Sequence, residues 1–320
     1  MVTEYPVAEF DSNFFKSEGC FEPRVVYNET LGQHLKVPCG RCLYCLRLRQ
    51  AQWVTRLVEH LRQNIGTSYF VTMTYAPEHV PADPETGLMQ VSKDHIKKLN
   101  MDLRKRFQQG FFNCDLDLDV GHLHETISLP KDLKFKYYIT SEYGPEGGLP
   151  HYHSVYYNLP TDRYLVTLLF EQIWKKGFCR VYEASPESIG YITKYLVNSK
   201  VCHTYDPRFQ DRPFSLMSKG LGLSYVDRMS AWHQADPLNR SKAVYHGETS
   251  VMPRYWREKI FSPEQRLILQ DAYEKKRSQI DSKVESLSLA STALVNHARE
   301  KWQKDQYYAA EQITLKKHIL

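Results

Sequence analysis

The sequence has no apolar run long enough to cross a membrane. Its densest apolar stretch, Tyr164 to Phe170 (YLVTLLF), falls far short of the roughly 18 residues that a spanning helix needs. The opening residues, MVTEYPVAEFDSNFF, include acidic side chains and no apolar segment of the export-signal kind, so neither export nor membrane insertion is expected. Cysteine is scarce and odd in number, 7 in 320 residues, which argues for thiols or metal ligands in a reducing compartment and against a disulfide scaffold. Internal repeats and low-complexity tracts are absent. Charge of either sign is barely in excess: 42 basic against 37 acidic side chains give +5, which permits nucleic acid as a partner without arguing for it. Glycine and proline stop at Pro263, and the charged remainder reads as helix.

What is present is an ordinary globular mixture, 42% hydrophobic and 25% charged, enough for one large domain or two small ones. The 22 tyrosines stand out. They suit base stacking, but composition alone favours core filling. The first forty residues show no period. From Leu46 to Leu61 the pattern is helical, with Trp53, Val54, Leu57 and Val58 on one face, Arg47, Arg49 and Arg56 on the rest, and Gly66 as a stop. Tyr69–Tyr75 (YFVTMTY) reads as a buried strand. Ser92 is placed to cap a helix over Lys93–Phe107 that carries Lys97, Lys98, Arg104 and Lys105. Residues 108–132 read as an inserted surface loop. Strands follow at 135–140 and 152–157 around a Gly/Pro-rich turn, then a helix at 162–174, a strand at 178–182 and a helix at 186–200. This order gives an α+β fold, with an antiparallel sheet of about four to five strands, helices on one face and a helical C-terminal extension.

Chemistry concentrates in three places. His151-Tyr-His153 lies on a strand, where i and i+2 share a face, so two imidazoles are aimed together. A hairpin would bring Glu142 beside them, completing an open three-ligand site for a divalent cation. His122-Leu-His124-Glu125 has the same letters but loop-like flanks. Tyr191 and Tyr195 in YITKY share a helical face, with Lys194 one step round. Two phenols there are either core packing or, beside a metal, nucleophiles for a phosphodiester. Finally, Cys39, Cys42 and Cys45 at CxxCxxC spacing offer three thiolates to a structural zinc, with Cys20, His34, Cys202 and His203 all open as the fourth ligand.

Taken in order, VPCGRCLYC, FVTMTY, SEYG, LPHYHSVYYN and YITKYLVNSK resemble the replication initiation proteins of gokushovirus-type microviruses, members of the HUH endonucleases. The resemblance covers roughly residues 37–257, leaving an irregular segment 1–36 and a helical extension 258–320. Ser141 stands where glycine is usual, and FSLMSKGLG lacks a usual proline. The resemblance implies an HUH-type sheet with Glu142, His151 and His153 holding Mg²⁺ or Mn²⁺. Tyr191 and Tyr195 would be the nucleophiles and Lys194 a charge stabiliser. The implied activity is rolling-circle initiation: nicking single-stranded viral origin DNA to give a 5′-phosphotyrosine and a free 3′-OH, then rejoining. The implied setting is the cytoplasm of an infected bacterium, with host helicase and polymerase as partners. Arg49, Arg56, Lys97, Lys98, Arg104 and Lys105 are candidate DNA-backbone contacts. Two other classes stay open at this point. One is a zinc-knuckle single-stranded nucleic-acid-binding protein without nuclease activity. The other is a two-histidine, one-carboxylate oxygenase, in which YITKY has no role.

Overall fold

The computed structural model describes residue 20 and residues 23–29, 32–63, 66–118, 121–144, 148–201, 205–245 and 248–285. The chain forms two compact units, one of residues 50–235 and 242–260, the other of residues 1–49, 236–241 and 261–320.

The first unit is built on a five-stranded antiparallel sheet in the order β8-β3-β7-β6-β9. Its strands are β3 (Thr67–Tyr75), β6 (Lys136–Tyr143), β7 (Pro150–Leu159), β8 (Gly177–Glu183) and β9 (Ser215–Met217). The longest, β7, is central and paired on both sides. Alternation then decides what each residue meets. Tyr69, Val71, Met73 and Tyr75 of β3 and Tyr152 and Tyr156 of β7 bury one face. Helices α2 (Lys93–Gln109) and α3 (Arg163–Trp174) cover it through Ile96, Leu99, Leu103, Phe107, Val166, Leu169 and Phe170. The opposite face carries Tyr138, Val155 and Tyr157, against Leu57 of helix α1 (Leu43–Arg62) and Ile189 and Ile192 of helix α4 (Pro186–Val201). Helices therefore lie on both faces, not on one. The reason is that β7 is apolar on both sides, which no single layer of helices can bury.

The tyrosines are chiefly core, as composition favoured, and their hydroxyls are paired inside it. Tyr75 Oη lies 2.9 Å from Tyr152 Oη and 2.7 Å from His95 Nδ1, and Tyr152 Oη accepts from the Ser92 amide at 2.7 Å. These bonds remove the desolvation cost of about 1–3 kcal/mol per unpaired group. Ser92 caps α2 as expected, accepting from the His95 amide at 3.2 Å.

Residues 108–132 are not a loop. They finish α2 and then form a hairpin, β4 (Phe111–Leu118) with β5 (Gly121–Ser128). Phe112 and Cys114 anchor it by burial against the α2/α3 side of the core. The unit also contains helices α5 (Ser224–Ala235) and α6 (Arg254–Ile260) and a short hairpin, β10 (Ala243–Tyr245) with β11 (Glu248–Ser250).

In the second unit, residues expected to be irregular contain a hairpin, β1 (Arg24–Asn28) with β2 (Gln33–Val37). Helix α7 (Pro263–Glu285) realises the expected C-terminal helix as far as the described residues extend. Among those residues, no helix is long and apolar enough to cross a membrane.

Candidate metal and tyrosine site

The register of β6 and β7 sets Glu142 directly opposite His151. His153 sits between Thr140 of β6 and Thr72 of β3. All three candidate ligands thus share the sheet face that α4 covers. The carboxylate oxygen Oε2 of Glu142 lies 3.1 Å from His153 Nε2 and 3.4 Å from His151 Nε2. One ligand atom from each of the three residues falls within 4.8 Å of the others.

The imidazoles are held from behind. His151 Nδ1 donates to the Leu149 carbonyl at 2.9 Å, which leaves Nε2 with its lone pair toward Glu142. His153 Nδ1 meets Thr72 Oγ1 at 3.2 Å. Such outer hydrogen bonds fix the ring orientation of metal-binding histidines. Gly144 closes the hairpin side: a Cβ there would lie 2.9 Å from His151 Cε1.

Helix α4 places both phenols on this site. Tyr195 stacks on His153 at 5.4 Å with rings 5° from parallel, and Tyr191 meets the same imidazole edge-on at 5.1 Å. Tyr195 Oη donates to Tyr191 Oη at 2.6 Å. Tyr195 is buried and Tyr191 half-buried. Lys194 Nζ lies 4.3 Å from the centre of the Tyr191 ring and 5.9 Å from that of Tyr195.

The electrostatics follow from burial and neighbours. Burial alone raises the Glu142 carboxyl, but hydrogen bonds with His151 and His153 outweigh it and hold the group at about 2. Burial lowers His153, against the pull of Glu142, so the pair is a carboxylate beside a neutral imidazole. Both phenols are raised, first by burial; the Glu142 charge adds to that for both. An ionised carboxylate and neutral imidazoles converging on one point form a donor set that attracts a hard or borderline divalent cation.

Other expected residues scatter. Cys39, Cys42 and Cys45 do come together, and Cys20 joins them. His34 instead packs edge-on against Tyr27 in the β1–β2 hairpin, while Cys202 and His203 lie outside the described residues. His124 and Glu125 are exposed on β5. The basic residues expected to contact DNA do not line the site. Arg56 donates to the Leu221 carbonyl at 3.3 and 3.2 Å and lies over Trp53 and Tyr255, a packing role. Lys97 pairs with Asp94, Lys98 with Asp102, and Arg104 lies over Phe135 and Tyr137. These three and the exposed Lys105 belong to α2, on the opposite face of the sheet from the histidines. Arg49 is exposed on α1.

Two features escape a reading of the sequence. The pattern marks Thr72 only as part of a buried strand. On edge strand β8, Phe178 (69% exposed), Arg180 and Tyr182 (53%) pair across from Thr74, Thr72 and Phe70 and share the histidine face. The alternation in FCRVY is the available signal, with Cys179 and Val181 turned into the core.

Residues 68–200, which hold every member of the site, match the family model of the replication-associated protein ORF2. The replication-associated protein ORF2 of Spiroplasma virus 4 is 29% identical over 202 residues, 59% of this chain and 56% of that protein. The replication-associated protein ORF4 of Chlamydia phage 1 is 22% identical over 251 residues, 72% of this chain and 55% of that protein. The chain thus spans about half the length of these curated relatives. No solved structure matches it significantly. The histidine strand, its glutamate and the paired tyrosines therefore sit in a domain of the replication-associated protein ORF2 family, and the chain is a relative of the gokushovirus-type replication proteins.

Proposed function

We propose that the protein initiates rolling-circle replication in an infected cell, as a metal-dependent endonuclease and strand transferase acting on single-stranded origin DNA. One observation carries this reading. Two phenols on one helical face, with hydroxyls 2.6 Å apart, abut a carboxylate and two imidazoles that converge on a point.

Glu142, His151 and His153 would hold the cation. Their fit rests on the donor chemistry, the back-side bonds from Leu149 and Thr72, and the room that Gly144 leaves for the His151 ring. When bound, Mg²⁺ or Mn²⁺ would neutralise charge on the scissile phosphate. The chain's own groups do the rest. A tyrosine oxygen attacks phosphorus and the P–O3′ bond breaks. The phenol loses one proton and the departing 3′-oxygen gains one. The products are a 5′-phosphotyrosine and a free 3′-OH. Attack by the second tyrosine on the regenerated junction, or by a 3′-OH on the phosphotyrosine, exchanges one phosphodiester for another, so joining needs no outside energy source. Tyr191, the more accessible phenol, acts first in this scheme and Tyr195 second. Lys194, close to both rings, offsets charge that develops on phosphate or phenolate. Phe178 and Tyr182 offer ring faces to unpaired bases, and Arg180 a charge to the backbone.

The test is covalent capture. The protein is incubated with single-stranded DNA of its own genome, with Mn²⁺ or with chelator, and resolved on a denaturing gel. A metal-dependent adduct is expected. Tyr191→Phe should lower its yield more than Tyr195→Phe, and the double change should abolish it. DNA binding with no adduct on any origin-bearing strand would overturn the nuclease reading and favour a binding module.

A further inference from the structure

We propose that Cys20, Cys39, Cys42 and Cys45 form a complete tetrathiolate zinc site that staples the β1–β2 hairpin to the start of helix α1. The site is separate from the histidine centre, and the proposal does not depend on nuclease activity.

The first argument is distance. The four sulfurs all lie within 4.8 Å of one another, with Cys39–Cys45 and Cys20–Cys42 both at 3.9 Å. A tetrahedral zinc thiolate with bonds of about 2.3 Å sets its sulfurs about 3.8 Å apart. A disulfide needs a contact of about 2 Å, so the observed spacing is not that of bonded pairs. Four sulfurs at near-equal spacing enclose one point.

The second argument is the chemistry around the sulfurs. The Cys39 amide donates to Cys20 Sγ at 3.1 Å, and the amides of Cys42 and Arg41 donate to Cys39 Sγ at 3.3 and 3.5 Å. A neutral thiol is a weak acceptor. Three backbone donors turned toward two sulfurs suit thiolates. Gly40, at φ +73°, makes the tight turn that brings Cys39 and Cys42 together. Cys42 and Cys45 sit at the N-terminus of α1, whose first turn has no acidic residue, so the positive end of the helix faces sulfur without competition. Soft sulfur in a tetrahedral set of four selects zinc over the hard cations suited to the Glu142 site.

The third argument is need. Hairpin β1–β2 has two strands of five residues, a size that is marginal in water. Val25 is 62% exposed and Tyr27 58%, while Leu35 is buried. The hairpin connects Cys20 to Cys39, so a metal bound by both closes it at its base. Small elements without a core of their own commonly rely on such a staple.

The measurement is metal content of the full-length protein after dialysis against EDTA, followed by reconstitution with Co²⁺. One tightly held zinc per chain is expected, together with the intense visible bands of a tetrahedral cobalt tetrathiolate. Cys20→Ser should lose the zinc and open the hairpin to proteolysis. Cys179→Ser, which changes a buried thiol elsewhere in the core, should keep the metal. If Cys20→Ser does not fold, Cys20→His should retain the ion with an altered cobalt spectrum. Stoichiometric iron in place of zinc would overturn the metal assignment. Protein without metal, giving no tetrahedral cobalt spectrum, would overturn the site and leave a cluster of reduced thiols.

Discussion

Thr72→Val isolates one hydrogen bond without changing side-chain size. Thr72 neither ligates nor attacks in the scheme above. Its Oγ1, 3.2 Å from His153 Nδ1, faces a ring nitrogen buried between strands and beyond the reach of solvent. Replacing the hydroxyl by methyl leaves that nitrogen without its partner and the ring free to turn about χ2. An unsatisfied buried polar group costs about 1–3 kcal/mol. At 1.4 kcal/mol per decade this is about 5- to 150-fold in cation affinity, in line with the roughly 10- to 100-fold typical when the hydrogen bond behind a metal-binding histidine is removed. The assay is adduct yield against Mn²⁺ concentration. The midpoint should move to higher Mn²⁺ by that factor, and the plateau should recover. An unshifted midpoint would refute the argument that Thr72 orients His153. A plateau that stays low at saturating Mn²⁺ would show that Thr72 acts on the DNA step instead.

Four further outcomes are expected. Gly144→Ala brings a methyl to within 2.9 Å of His151 Cε1, so the ring must shift, and the same Mn²⁺ titration should show weakened binding with normal folding by circular dichroism. Arg228→Leu strips the 2.8 Å partner from the buried Glu59 carboxylate; because the guanidinium is 43% exposed, the loss should fall near 2–3 kcal/mol in urea unfolding, at or below the low end for buried pairs. Glu142, held at about 2 against an ordinary 4.5, stabilises the metal-free fold above pH 4.5, and this contribution disappears as pH falls through about 2. It amounts to roughly 3 kcal/mol at most, and in chelator the acid limb of stability should be shallower for Glu142→Gln than for wild type. Replacing Phe178 and Tyr182 together by serine should weaken single-stranded DNA binding about 10-fold or more, measured by fluorescence anisotropy, with the fold intact.

How much of this was legible beforehand depended on the range of the interaction. Ser92 as a cap and Tyr191 with Tyr195 on one face are local facts, set by periods of 3.6 and 2. The pairing of Glu142 with His151 needed only a hairpin, and the Gly/Pro-rich turn announced one. The β4–β5 hairpin was hidden because its alternation, Phe112 and Cys114 inward, is embedded in acidic residues that read as loop. The helix layer on the second face was hidden because no local pattern says which side of a doubly apolar strand a helix will take. Cys20 was one of four equal candidates, since a ligand 19 residues from its neighbour is set by tertiary closure. The basic face of α2 misled for the opposite reason. Helical spacing groups Lys97, Lys98, Arg104 and Lys105 correctly but does not say which side of the sheet the helix will occupy.

The ladder between β6 and β7 has a consequence for which sequences this fold can explore. Facing in a strand depends on parity. One residue inserted between Tyr152 and Tyr157 would leave His151 in place but turn every later side chain over, sending Val155 and Tyr157 toward α2 and Tyr156 toward α4. One inserted just before His151 would drive both imidazoles among the core tyrosines. The connection between Gly144 and Pro150 carries no such constraint, because the pairing of Glu142 with His151 is enforced by the strands and not by the length of chain between them. Length variation among descendants of this chain should therefore collect in that connection and in the turn of the β4–β5 hairpin. The ten residues of β7 should vary by substitution alone.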